Sequence, residues 1–325
     1  MKYMSMGQLF VKSVIIRKIF YAAAVVLLMN VLCLDAFAGT RRALVVGIGE
    51  YEDAAWGRIH GDRDAEAVAE MLGRCGFGDV VTLLGREAVK ETIVWEFRDL
   101  ASRCSRGDTV YVHFSGHGQL MTDLDGDEAD GWDESWVPYD ACRKYCERDR
   151  GERHLCDDEV GALLDAVRER IGDKGVILVV VDACHAGDST RRPSSDGANV
   201  VRGVYDPFVI PGVGKPGMGG GKSHSGKSAS EGTASGGARK KKLAERWLTL
   251  SACRDYQLNQ ELPSGEGRLT AAILSLEGKL EGLDNEDVLQ RINDFYNLVE
   301  HRPRYPQTAV MTGQTGRVRI FEILR

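Results

Sequence analysis

The run Gly175-Val-Ile-Leu-Val-Val-Val181 is apolar at every position after its glycine. A strand with no polar alternation has to be covered on both faces, the situation of a central strand in a parallel sheet. Arg42-Ala-Leu-Val-Val-Gly-Ile-Gly49, Asp79–Leu84 and Asp108-Thr-Val-Tyr-Val-His-Phe114 read as further strands. Between them lie segments with apolar residues at helical spacing. These are Arg63–Arg74 (Ala65, Val68, Ala69, Leu72), Val89–Arg103 and Asp157–Ile171 (Val160, Leu163, Leu164, Val167). Strands alternating with helices predict an α/β fold, with a central, mostly parallel sheet flanked by helices on both faces.

The pattern stops after Gly187. From about 190 to 243 the chain is rich in Gly, Ser and Lys, with Gly212–Lys227 of low complexity and Arg239-Lys-Lys-Lys242 near its end. Such a stretch reads as a flexible insertion. Periodicity returns with a strand over Arg246–Ser251 and helices over Leu269–Leu280 and Glu286–Leu298. Val318–Leu324 reads as a final strand or tail. Residues 39–325 are therefore expected to form one interrupted domain.

The N-terminus reads as an export signal over residues 1–38. Lys2, Lys12, Arg17 and Lys18 precede the apolar run Ile19–Leu34, and Ala36-Phe37-Ala38 matches the small-x-small cleavage pattern. Cleavage after Ala38 implies a periplasmic or secreted protein. An uncleaved signal is the alternative, and the one expected route to a membrane. Bulky Leu32 before Cys33 disfavours a lipid anchor. The seven remaining cysteines are an odd count, so an oxidising compartment leaves at least one thiol free. Cys142, Cys146 and Cys156 suggest a disulfide within one loop; zinc, with His154, is the alternative. A net charge of −6 argues against nucleic-acid binding. The basic run at 239–242 lacks the interleaved aromatics such binding uses.

Two polar motifs follow two of the apolar strands: Phe114-Ser-Gly-His-Gly118 and Val181-Asp-Ala-Cys-His-Ala-Gly187. In an open parallel sheet, ligands bind beyond the carboxyl ends of the strands. If the two strands are neighbours, His117 and Cys184 rise side by side. The segment between them is long enough for a crossover connection. Cys184 then supplies the nucleophile, and His117 takes its proton and returns it to the leaving amine. The backbone N–H groups of Gly118 and Cys184 would form an oxyanion hole. His185 ranks second as base, since adjacent residues at a strand end point in different directions. A lone Cys or a lone His would read as a core residue; the pair, each flanked by glycine past an apolar strand, does not.

His113-Phe-Ser-Gly-His-Gly118, Asp123–Glu134, Val180–Gly187 and Ser251-Ala-Cys-Arg-Asp-Tyr-Gln257 resemble, in order, the motifs of metacaspases and bacterial caspase-like peptidases. Arg42–Ile48 and Asp64-Ala65 extend the resemblance over nearly all of the chain after the signal. It implies a caspase-type fold and a monomeric cysteine endopeptidase with a His117/Cys184 dyad and no organic cofactor. The acidic loop and the Asp182–Gly187 string favour this family over the gingipain and legumain groups. A caspase-like interaction module with little peptidase activity is the second reading. Loss of the Cys or His would mark it, and neither is lost.

Caspases proper place Gln two residues before the nucleophile and cut after Asp. Asp182 stands there in this chain, and an acid in the pocket favours a substrate with Arg or Lys at P1. The resemblance implies Asp64 as a second pocket acid. Arg63 replaces the family's usual Asn before it, which leaves Asp62 as an alternative. The loop from Asp123 to Glu134 carries seven acids, whose oxygens suit Ca²⁺. It fails the EF-hand pattern, because Glu128 stands where Gly is required; a solvated acidic loop is the plainer reading. The resemblance implies calcium bound by Asp133, Asp157 and Asp158. A basic preference would also make Arg191-Arg192, Lys222 and the 239–242 run candidate sites of self-cleavage.

Overall fold

The computed structural model describes Tyr21 and residues 39–128, 130–184, 200–213 and 246–325. The predicted export signal apart from Tyr21, His185, Arg191-Arg192, Lys222 and the 239–242 run lie outside the described residues. The strands, in chain order, are β1 (Arg41–Gly47), β2 (Asp79–Leu84), β3 (Thr109–Ser115), β4 (Gly118–Thr122), β5 (Trp132–Trp136), β6 (Leu155–Cys156), β7 (Val176–Asp182), β8 (Leu248–Ser251) and β9 (Val310–Gly313). The α-helices are α1 (Gly61–Arg74), α2 (Lys90–Arg103), α3 (Asp157–Ile171), α4 (Arg268–Ser275), α5 (Asn285–Asn297) and α6 (Ile320–Ile323).

The apolar run becomes β7, inside a six-stranded sheet of order β2-β1-β3-β7-β8-β9. All pairings are parallel except that of β9, which runs antiparallel to β8. Side chains on a strand alternate between faces, so an apolar strand feeds two separate cores. Leu178 and Val180 of β7, with Ala43 and Val45 of β1, pack against Val68 and Leu72 of α1, Ile273 of α4, Ile292 of α5 and Ile320 of α6. Ile177 and Val179, with Leu44 and Val46, pack against Ile93 and Phe97 of α2 and Leu164 and Val167 of α3. Helices thus cover both faces, as the unbroken hydrophobicity requires. Among the described residues no helix is long and apolar enough to cross a membrane.

The structure departs from the sequence expectation in three places. Strands β4, β5 and β6 form a second, antiparallel sheet; their short, polar sequences carry no long apolar run. Helix α4 stops at Ser275, and Gly278, at φ +69°, turns the chain so that Leu280 reaches the core from outside the helix. Val318–Leu324 holds the short helix α6, and the last strand is β9, a half-exposed edge.

Strands β3 and β7 are neighbours in register, with Ser115 opposite Asp182. Their carboxyl ends therefore coincide. Phe114 holds the end of β3: it is fully buried and stacks on Trp136, ring centroids 4.6 Å apart. Phe114→Ala should lower stability by about 3–5 kcal/mol, read by urea unfolding in a Cys184→Ala background.

Candidate active site

His117 lies between β3 and β4, buried between Trp56 and Tyr51, whose rings each sit 5.2 Å from its own. Gly116 makes the approach possible, because a Cβ there would come within 2.8 Å of Phe114 Cζ and 3.1 Å of Tyr51 Oη. The His117 N–H donates to Tyr51 Oη at 2.7 Å, and Nε2 lies 2.7 Å from the Gly57 carbonyl oxygen. A carbonyl only accepts, so Nε2 carries the ring proton of the neutral imidazole. Nδ1, buried and without a hydrogen-bond partner among the described residues, keeps a lone pair. Burial pushes the imidazole pKa down to about 4. The Gly57 bond opposes this, and the charges of Arg202 and Arg143 add to it.

Cys184 follows β7 and is fully buried, its Sγ donating to the Gln257 carbonyl at 3.2 Å. Cys253 approaches the same carbonyl at 3.4 Å. Its hydrogen bond to Cys184, and then burial, push its own thiol pKa well up. The two N–H groups expected to form an oxyanion hole converge on one oxygen: Cys184 N–H and Gly118 N–H donate to the Arg202 carbonyl at 2.9 and 3.4 Å. Such an arrangement can hold negative charge developing on a carbonyl oxygen beside a thiol.

The side chain of Arg202 is fully buried in an acidic pocket. Its Nη1 lies 2.7 Å from Asp64 Oδ2 and 3.7 Å from Asp182 Oδ1, and Nη2 lies 2.9 Å from Glu261 Oε1. Asn259 Nδ2 (2.7 Å) and the Thr270 N–H (2.8 Å) and hydroxyl (2.7 Å) donate to Asp182. The Ser115 hydroxyl donates to Asp64 at 2.7 Å. Gly267 leaves room for the guanidinium, since a Cβ there would stand 2.6 Å from Nη1 and 2.2 Å from Asp182 Oδ2.

Burial would raise the pKa of Asp182, but Arg202 and the hydrogen bonds from Asn259 and Thr270 outweigh it and hold the carboxyl below its ordinary value. Burial pushes Asp64 up to about 6, against the pull of Arg202. Burial would lower the pKa of Arg202, but its three acids raise it above the ordinary value. Asp64 and Asp182 thus both face the Arg202 guanidinium. Asp62 packs its carboxylate against Gly49 instead. Glu261 was missed, having no motif around it, and Arg202 was hidden inside the stretch read as a linker.

The acidic loop brings carboxylates together in three groups: Asp123, Asp125 and Asp127; Asp127, Glu128 and Asp133; and Glu128, Glu134 and Asp157. Asp158 belongs to none of the three. It lines a cavity of about 410 Å³ with Glu134, Asp157 and Asp255. Burial, then the neighbouring carboxylates, push Asp133, Glu134 and Asp157 each up to about 7. Asp133 is buried, and its Oδ1 lacks a hydrogen-bond partner among the described residues. An oxygen-rich site short of positive charge fits a hard cation. The three loop cysteines do not converge. Cys142 and Cys146 are free thiols 3.3 Å apart, while Cys156 caps α3. His154 bonds to Gln119 instead.

The model of the caspase domain family matches residues 40–314. The chain belongs to the caspase-domain family of cysteine peptidases. It is 32% identical over 167 residues to metacaspase-2 of Arabidopsis thaliana, covering 48% of this chain and 36% of that relative. The chain therefore spans little more than a third of that relative's length. Two solved structures share the caspase-domain fold. Protein GSU0716 from Geobacter sulfurreducens is 21% identical with a TM-score of 0.58, over 88% of this chain and all of that one. Caspase-1 from Spodoptera frugiperda is 12% identical with a TM-score of 0.55, over 88% of this chain and 91% of that one.

The depressed pKa of His117 has a stability consequence. Between about 4 and the ordinary value of 6.5 the unfolded chain binds a proton that the folded chain does not. The stability tied to neutral His117 is complete above that ordinary value and is lost as pH falls through about 4. In a Cys184→Ala background, the His117 protein should lose on the order of 3 kcal/mol relative to His117→Gln across this window. Urea unfolding at a series of pH values reads the difference.

Proposed function

We propose that this chain is an exported cysteine endopeptidase that cuts after Arg or Lys, is stimulated by Ca²⁺ and processes itself. The observation that carries the specificity is the arginine side chain seated among Asp64, Asp182 and Glu261, with its carbonyl on the Gly118 and Cys184 N–H groups. A substrate bound in the same way offers its P1 carbonyl carbon to the Cys184 sulfur. His117 takes the thiol proton at Nδ1 and delivers it to the leaving amine, and water then hydrolyses the thioester. A neutral His117 is the form that accepts a proton. Three buried carboxylates left without a cation are strongly unfavourable, so a basic P1 residue is preferred over an apolar or acidic one.

An Arg-P1 peptide should be hydrolysed at least ~10²-fold faster than its Asp-P1 twin. Asp182→Ala should cost about 10²-fold in kcat/KM on the Arg peptide, roughly 3 kcal/mol. Equal turnover of the two peptides by the unsubstituted chain would refute the assignment.

The calcium reading rests on the buried, unpartnered Asp133 oxygen and on the mutual repulsion around it. Asp133, Asp127 and Glu128 would hold the ion, which would supply charge neutralisation and rigidity to the loop between β4 and β5. About 1 mM Ca²⁺ should raise the melting temperature and the turnover of the Arg-P1 peptide, a chelator should reverse both, and Asp133→Asn should abolish the response. Identical melting curves with and without the ion would rule it out.

A further inference from the structure

We propose that Arg202–Gly203 is this chain's own scissile bond, and that residues 200–210 occupy the site as a built-in substrate until that bond is cut. The proposal rests on the peptidase reading above and names the bond on which the peptidase first acts.

The segment is held as an added strand on the amino-terminal side of the bond. Val201 bridges antiparallel to Gln260. The Arg202 N–H donates to the Asn259 carbonyl at 3.0 Å, and the Glu261 N–H donates to the Val200 carbonyl at 2.9 Å. Side chain and carbonyl of Arg202 then fill the acidic pocket and the N–H pair described above. Gly203 follows directly against the nucleophile: a Cβ on it would stand 2.4 Å from the Cys184 carbonyl oxygen and 2.9 Å from Cys184 Cβ.

The other side of the bond is anchored as well. Gln119 Nε2 donates to the Asp206 carbonyl at 2.8 Å. The Phe208 N–H donates to the Leu120 carbonyl at 2.7 Å, and the Thr122 N–H to the Phe208 carbonyl at 3.0 Å. Phe208 is fully buried, its ring 4.4 Å from that of His154. A peptide fixed on both sides, with its carbonyl on two N–H donors beside a thiol, is positioned for attack.

The cut follows from the same groups. The Cys184 proton passes to His117, the sulfur bonds to the Arg202 carbonyl carbon, and the carbonyl oxygen takes negative charge against the Gly118 and Cys184 N–H groups. The carbon–nitrogen bond then breaks, and the Gly203 nitrogen leaves as an amine with the proton from His117. Water splits the thioester, leaving a carboxylate on Arg202 and restoring the thiol.

The test uses the full chain, its Cys184→Ala variant and Gly203→Ala, which keeps Arg202 and its charge. Each is followed by intact mass and N-terminal sequencing, with an Arg-P1 peptide assayed in parallel. The unsubstituted chain should yield a fragment beginning at Gly203, at a rate independent of protein concentration. Peptide hydrolysis should accelerate in step with that fragment. Cys184→Ala should stay intact, even when processed chain is added, because Arg202 and its carbonyl are held inside the chain's own site. Gly203→Ala should be cut about 10²-fold more slowly.

Peptide hydrolysis at full rate with the bond intact, cleavage only at other basic residues, or cutting of Cys184→Ala at this bond by added enzyme would each overturn the proposal while leaving the peptidase reading standing. Failure to hydrolyse either the peptide or the chain would overturn both.

Discussion

The pairing of β3 with β7 is the constraint on which the rest depends. Parallel hydrogen bonding places Ser115 opposite Asp182 and carries both chains off the sheet at the same level. Side-chain alternation then decides which groups meet. Ser115 follows Tyr111 and His113 on one face of β3, and Asp182 follows Leu178 and Val180 on the matching face of β7. That face is covered by α1 and α4, which bring Asp64 and Thr270 to the same point. A slip of one residue would turn Asp182 toward α2 and α3, away from the pocket. An all-apolar strand does not resist such a slip by itself; Asp182 does, because it would lose Arg202, Asn259 and Thr270.

Three acids and one guanidinium, all buried, are tolerable only because each balances the others. Arg202 is driven toward its charged form by its neighbours, and Asp182 is held ionised by Arg202 together with Asn259 and Thr270. Removing the cation without replacing it would leave carboxylates in a poorly solvated pocket, the costly state for buried charge. On the reading proposed here, the same energetics that favour a basic substrate also keep the chain's own arginine in place. Specificity and self-occlusion then have a single electrostatic origin.

Much of the site was legible because its chemistry is concentrated at strand ends. His117, Gly118, Asp182 and Cys184 stand just past runs that only a buried strand explains, and the strand-to-loop change marks them. Asp64 was legible only through the family resemblance, because its local pattern shows no more than an acid in the first turn of a helix. Glu261 and Gly267 were not, because they lie in a stretch with no periodicity and act only through what faces them. The β4–β6 sheet escaped notice for a related reason: strands of five, five and two residues are too short to show a periodic pattern. Arg202 was concealed by its neighbours in sequence: the short, largely apolar run Val200–Ile210 is followed at once by the Gly/Ser/Lys-rich stretch, and the two read as one linker.

The sequence by itself determined the layered α/β architecture and the family, and it singled out Cys184, His117 and Asp182 as candidates for the site. Those follow from local hydrophobicity and from motifs a few residues long. Only the tertiary structure decided which imidazole nitrogen is free, which third acid completes the pocket, and which arginine fills it. Each of these depends on the approach of segments far apart in the chain: Gly57 to His117, Glu261 to Asp64, Arg202 to Cys184. No local pattern encodes such meetings. They arise when parallel pairing brings the strand ends together and closes a low-dielectric pocket around them.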